Sequence, residues 1–440
     1  MTETAAVFNG RLLEMVGERV GVIRSLTFPT RGADEPNPPL ICQAILSHFD
    51  YRRADAPHRV AGGKGRTEAE AMAGAIGEAL ERYCGSQIDA GRLRRAPYSA
   101  LGENAIAPPE FVLYSEAQYK ARDFPYRRWS PDGEISWITG REMPDGAAVL
   151  VPAALVYMTR PPEPGENFVD TANSNGMAAA ADLETAALSG LYELVERDAF
   201  LIHWMNRLSA PEVEYPDGCG LAGSIRAHYA RFGVELRVFD ISTDLLPCVM
   251  MAVALDPSGH GPSALVGLGC HLDPGIALLK ASMEVCQVRP GHVRQYRERR
   301  PDDRLSRYSD VRTMEDHSRF AAQPENLKEF DFLLRSGRRE KLADAPSRSG
   351  GSGASDLALC TAALRAAGCR PVVVDLTTED VADYGLAVVR TLATGLQPMH
   401  FGHRQERLGG TRLFETPYRM GLAPGPRAEE DLNSCPHPLA

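Results

Sequence analysis

Apolar positions along the chain alternate between a helical period and a strand period, which predicts interleaved helices and strands. The helical stretches are AMAGAIGEALERY (71–83), DLETAALSGLYELVERDAFLIHW (about 183–204), IALLKASMEVCQVR following Pro274, and LALCTAALRAAG (357–368). The strand-like stretches are GVIRSLTF, ISWITG, AAVLVPAALVYM, VELRVFDI, CVMMAVAL, SALVGLGCHL, PVVVDLT and LAVVRTL. Thr67 followed by Glu70 forms a capping box that marks the start of the first long helix, and the Gly-rich AGGKGRT before it reads as a turn. No regular βαβ beat appears, so the expected class is α+β with mixed or antiparallel sheets, not a doubly wound or Rossmann fold. Residues 1–55 read as a lead-in and 56–440 as one catalytic domain. That domain carries a flexible loop at APSRSGGSGASD (345–356) and a Pro-rich, extended tail over 424–440.

Composition narrows the picture. With 440 residues, 44% of them apolar and 24% charged, the chain can bury a large core. The net charge of −10 argues against nonspecific nucleic-acid binding, which needs a basic surplus. No apolar run reaches the roughly 18 residues of a membrane span, and the N-terminus lacks the pattern of a secretory signal. Nine scattered cysteines with no C-x-x-C imply neither a disulfide framework nor a zinc site, and a cytoplasmic setting is expected.

Three of the helices repeat one polar spacing. AIGEALER carries Glu78 and Glu81, LYELVERD carries Glu193 and Glu196, and SMEVCQVR carries Glu284 and Gln287. Arg82, Arg197 and Arg289 follow closely. Side chains three apart share a helix face. E-x-x-E is common on solvated helices. Here the flanking residues are Ala, Gly and Leu, so the carboxylates are expected to be enclosed and to need a counter-charge or a metal. Oxygen ligands from separate helices suit Mg2+, which also binds nucleotide phosphates. Lys64 and the arginines would offset phosphate charge, and the AGGKGRT turn would add backbone N–H groups at a helix start. AGGKGRT is not a Walker A loop, because Gly65 stands where Ser or Thr must follow the lysine.

At these residues the chain resembles the YcaO family. The resemblance rests on AGGKGRTEAEAMAGAIGEALERYCG, SNGMAAAADLETAALSGLYELVERDAF and GLGCHLDPGIALLKASMEVCQVR in that order, and it runs from about residue 57 to the C-terminus. It implies a YcaO-type ATP-binding fold, distinct from P-loop proteins, with ATP and Mg2+ as cofactors. It assigns Glu78, Glu81, Glu193, Glu196 and Glu284 to metal. Lys64, Ser174, Asn175, Glu184, Arg197, Gln287 and Arg289 it assigns to the nucleotide. The family often has serine where Gly74 stands, which removes a hydroxyl from that position. Within the family the chain is most similar to azoline-forming cyclodehydratases. Its ending, EDLNSCPHPLA, resembles a proline-rich terminus that helps order the active site, so Pro436, His437, Pro438 and Ala440 are the catalytic candidates at the tail. Among the histidines singled out, His203, His271 and His437, the last is preferred as a base for the same reason.

The implied reaction joins a Cys, Ser or Thr side chain of a ribosomal precursor peptide to the preceding carbonyl carbon. The amide oxygen is phosphorylated by ATP and leaves as phosphate, giving a ring. The implied partners are the peptide, a separate leader-peptide-binding protein and a flavin-dependent oxidase in the same pathway, with the chain itself a homodimer. Two alternatives remain open at this level: a thioamide-forming YcaO enzyme, in which external sulfide attacks, and a nucleotide-binding accessory protein without chemistry of its own.

Overall fold

The computed structural model describes residues 10–47, 59–122, 124–158, 160–167, 170–299 and 303–439. They fall into two compact units. The first draws on the stretches up to Pro29, Leu40–Leu194 and Gly351–Leu396; the second on Thr30–Pro39, Val195–Gly350 and Gln397 onward. The expected lead-in therefore contributes to both units. Helices and largely antiparallel sheets make the chain α+β. Among the described residues no helix is long and apolar enough to cross a membrane.

The first unit contains two sheets. Strands β1 (Ile23–Thr27), β2 (Leu40–Leu46) and β3 (Val60–Gly65) form an antiparallel sheet in that order. Strands β4 (Leu93–Pro97), β5 (Glu134–Glu142), β6 (Ala148–Pro152) and β7 (Met177–Ala180) join two late strands, β13 (Pro371–Asp375) and β14 (Ala387–Ala393). The order is β4-β5-β13-β14-β7, with β6 paired to β5. Helix α1 (Glu68–Ser86) buries Ala71, Ala75, Ile76, Ala79 and Leu80 against this core. The Thr67 hydroxyl accepts the Glu70 N–H at 3.2 Å, as the sequence predicts. The Glu70 carboxylate, however, returns to the N–H of Arg66 at 2.7 Å instead of to that of Thr67.

AGGKG is not the turn expected from its glycines: it is strand β3. Packing explains the composition. A Cβ on Gly63 would sit 2.0 Å from the Ala71 carbonyl oxygen and 2.2 Å from the Ala75 nitrogen, and one on Gly65 would sit 2.6 Å from the Ala71 nitrogen. The glycines let α1 lie directly on the strand.

The second unit repeats this device. Its sheet runs β11-β10-β9-β8-β12, built from β8 (Glu212–Glu214), β9 (Glu235–Asp240), β10 (Cys248–Leu255), β11 (Ala264–His271) and β12 (Arg339–Lys341). Helix α2 (Leu183–Met205) begins in the first unit and ends in the second, and α3 is Gly220–Arg231. Helix α4 (Pro274–Glu298) packs on β11 and β10. Gly267 and Gly269 permit it: their Cβ atoms would meet Ala281 O at 2.5 Å and Ala277 O at 2.2 Å. Helix α4 runs past Pro290, beyond the end expected at Arg289, with Val293 still buried. Helix α5 is Met314–Ala321. The loop expected over 345–356 is shorter than its composition suggests. The Ser352 hydroxyl accepts the Ser355 N–H at 3.2 Å and starts helix α6 (Gly353–Ala366), back in the first unit. Helix α7 is Arg412–Arg419.

Candidate functional site

In the first unit, α1 and α2 bring three carboxylates together. Glu78 accepts the Gly62 N–H at 2.7 Å and pairs with Arg82. Gly62 lies on β3, whose outer edge has no neighbouring strand among the described residues, so the carboxylate takes up a main-chain donor at the sheet edge. Glu81 accepts the Ala179 N–H at 2.9 Å, and Glu193 accepts the Gly176 N–H at 2.9 Å. Burial first, then the charges of Glu78 and Glu193, hold the Glu81 carboxyl well above the usual carboxylate range, against the Ala179 N–H and Arg82. One edge of Glu81 still meets solvent although protein surrounds its carboxyl.

The SNG stretch before β7 is tied down by main chain. Gly176, at φ +79°, is a position for glycine alone, since a Cβ would lie 2.3 Å from the Thr391 oxygen. Asn175 is buried, and its N–H donates to Asn173 Oδ1 at 3.0 Å; Ser174 is exposed. Lys64 is half-buried on β3. Glu184 is exposed in the first turn of α2. Nine residues at about 100° each place it on the opposite face from Glu193, roughly 13 Å away along the axis, so it stands apart from the acid cluster. At Gly74 an added Cβ would sit 3.2 Å from the Gly63 Cα, so the residue that replaces the family's serine is also a close-packing position.

In the second unit, Glu196 is buried beside Arg197, with Nη1 3.2 Å from Oε1. Glu284 and Gln287 lie half-buried on α4. Arg289 has a different occupation from the one expected. It is buried, pairs with Glu35 and with Asp34 at 2.9 Å, and lies over the Tyr229 ring at 5.4 Å. That setting makes it a structural tie between α4 and the 30–39 segment. Sequence reasoning missed Asp198, the residue after Arg197. It is fully buried, accepts the Gln397 N–H at 2.8 Å and pairs with Arg412 at 2.7 Å, which also reaches Asp244 at 2.8 Å. The available signal was an acid inside an otherwise apolar helical run.

The tail is exposed over most of 424–431 and buried at its end. Cys435, Pro436, His437, Pro438 and Leu439 are all buried in the second unit, while Ala440 lies outside the described residues. Burial holds the His437 imidazole well below its usual range, aided by His317, His400 and Arg197, which makes it a poor proton acceptor as seated. His203 is likewise buried, its Nδ1 donating to the Ala199 oxygen at 3.0 Å.

The first-unit cluster fits a divalent cation. The like charges of Glu78 and Glu193 act on buried Glu81, a repulsion that a bound cation would relieve, and the donors are all hard oxygens. Among the described residues no three His, Cys, Asp or Glu side chains form a ready metal cage. Mg2+ does not require one, because waters and phosphate oxygens complete its shell.

The comparisons agree with this donor chemistry. The family described as YcaO cyclodehydratase, ATP- and Mg2+-binding, matches residues 62–397. A protein of Methanothermobacter thermautotrophicus described only as uncharacterized is 29% identical over 374 residues, covering 83% of this chain and 88% of its own. A solved heterocyclase in complex with substrate and cofactor is similar over 100% of this chain at TM-score 0.83 and 26% identity; the heterocyclase TruD is similar over 83% at 0.68 and 26%. This chain spans 57% and 50% of those two heterocyclases. With its motifs in family order and its fold shared, the chain belongs to the YcaO family, with ATP and Mg2+ as cofactors.

Proposed function

We propose that the chain is an ATP-dependent cyclodehydratase that converts Cys, Ser or Thr of a ribosomal precursor peptide to azolines. The observation that carries the reading is the Glu78–Glu81–Glu193 cluster, three carboxylates drawn together on two helices, with Glu78 and Glu193 repelling buried Glu81. In the first unit these three hold Mg2+, with Lys64 and Asn175 as phosphate and nucleotide contacts. In the second unit, Glu196, Glu284, Gln287 and Arg197 are further metal and nucleotide contacts. The heterocyclases similar to this chain support the reaction class.

Bound ATP supplies a phosphoryl group that turns the peptide's amide oxygen into a good leaving group. The peptide side chain adds to the carbonyl carbon, the oxygen departs as phosphate, and the peptide has lost one water. The chain's part is to position the groups and to balance charge. Arg82 and Arg197 stand beside the acids to do so. A separate leader-binding protein is the expected partner, with an oxidase acting later on the rings and a homodimer as the working form.

Co-expression with a precursor peptide, read by mass spectrometry, tests this. Each ring removes one water, and Glu81→Gln or Glu196→Gln abolishes the loss. Full modification by both variants refutes the assignment. An oxygen-to-sulfur exchange in the product would favour thioamide formation. ADP release at background rate with peptide and partner present would favour the accessory role.

A further inference from the structure

The C-terminal segment of the second unit is held by hydrogen bonds at one end and by a cluster of imidazoles at the other. Asn433 and Cys435 are anchored to the end of α2. The Asn433 N–H donates to Met205 O at 2.7 Å, its Nδ2 donates to Trp204 O at 3.1 Å, and Trp204 Nε1 donates to Cys435 O at 3.0 Å. Beyond them, three imidazoles meet. The rings of His437 and of His317 from α5 stack with centroids 4.0 Å apart and planes 21° apart, and His400 stands edge-on to His437 at 5.0 Å. His317 and His437 are 1% exposed and His400 is 6% exposed.

Main-chain bonds assign the protons. His317 Nε2 accepts the Gly402 N–H at 2.9 Å, so its Nδ1 carries hydrogen and donates to His437 O at 2.8 Å. His437 Nε2 faces the His400 carbonyl at 2.7 Å, and a carbonyl only accepts, so Nε2 is the protonated nitrogen. The Nδ1 atoms of His437 and His400 are buried without a hydrogen-bond partner among the described residues. Both rings line one small cavity with His317, His403, Glu406, Cys435 and Trp204.

A further proton has no good place here. On His317 it would face the Gly402 N–H, donor against donor. On His437 it would be a buried cation beside two other imidazoles. The charged neighbours do not offset it. Arg197 on α2 acts on His437 and Arg407 acts on His400, both unfavourably to a second cation. Asp316 on α5 helps His317 from a part-exposed position. Glu406 is itself pushed toward its neutral form by burial. Cys435 is bordered by Glu329, Tyr308 and Arg207.

We propose that the His317–His437 stack, with His400 edge-on beside it, is a proton-operated catch, which seats the C-terminal segment on the second unit while the two stacked imidazoles are neutral and releases it when they are protonated. The sign follows from linkage. An ordinary imidazole titrates near pH 6.5, whereas burial pushes seated His317 down to about 4 and His437 in the same direction. Seating is therefore complete above about pH 6.5 and weakens as pH falls toward 4. At pH 5.5 each imidazole freed on release favours release by roughly tenfold, and His317 with His437 together by about a hundredfold.

Hydrogen exchange of the whole free chain, with no peptide or nucleotide, tests the catch independently of the azoline reading. The amides of Asn433, Ser434, Cys435, His437 and Leu439 are compared at pH 8.0 and 5.5, corrected for intrinsic rates, with β10 and β11 as internal reference. The expected result is about a hundredfold more opening of the segment at pH 5.5 while the reference strands are unchanged. His437→Gln keeps an N–H for the His400 carbonyl and cuts the rise to about tenfold. Equal protection at both pH values, or opening of the segment and the reference together, overturns the proposal, as does a full hundredfold rise in the variant. If the variant fails to seat at pH 8.0, the wild-type ratio alone decides by the same limits.

Discussion

Replacing Glu81 with Gln separates what the acid cluster does for folding from what it does for nucleotide binding. The Gln oxygen can still accept the Ala179 N–H, now made at 2.9 Å. The charge that Glu78 and Glu193 oppose is gone. In the absence of ligands the variant is expected to be more stable than wild type by about 1 kcal/mol, or about 2 °C in Tm, because a functional site is relieved of like-charge repulsion. With Mg2+ and a nonhydrolysable ATP analogue the order reverses. At one hundred times Kd the wild type gains about 2.7 kcal/mol, and each tenfold loss of affinity in the variant removes about 1.4 kcal/mol of that gain. Turnover of ATP falls at least about a hundredfold, the usual effect of removing one charge-stabilising contact. Thermal melts with and without Mg2+-nucleotide, beside an ATPase assay, read both halves. A ligand-free variant that melts below wild type and gains equally from Mg2+-nucleotide refutes the reasoning.

Three other outcomes follow from the packing and the ion pairs. Gly63→Ala places a Cβ 2.0 Å from Ala71 O, so α1 must lift off β3 at about 2–3 kcal/mol in urea unfolding; a loss under about 0.5 kcal/mol contradicts the close approach. Arg289→Met strands buried Glu35 and costs about 3–5 kcal/mol while leaving nucleotide Kd unchanged; weaker nucleotide binding at full stability would return Arg289 to the nucleotide. Burial and the neighbouring Asp240 raise Glu340 to about 7, so its stabilising contribution is present below about pH 4.5 and lost as pH rises through 7. Glu340→Gln should therefore melt above wild type at pH 8 and close to level with it at pH 4, and a constant gap would disprove the pairing.

The sequence alone was enough for the long helices, most strands, the Thr67 cap and the spacing of the acids, since each rests on neighbours within a turn or an alternation. It misread AGGKG, because a glycine needed for helix-on-strand contact and one needed for a turn look the same until the partner helix is in place. Family motifs pointed to Glu78, Glu81 and Glu193 as a group. Their main-chain donors, Gly62, Ala179 and Gly176, were invisible because a backbone N–H carries no residue identity. Only the tertiary structure set Arg289 against Glu35, 254 residues apart, Arg412 against Asp198, 214 apart, and the His317 ring to the His437 carbonyl, 120 apart. Such pairs have no period along the chain. What selects them is the cost of burying a charge or a polar group without a partner, a condition that exists only once the chain has folded.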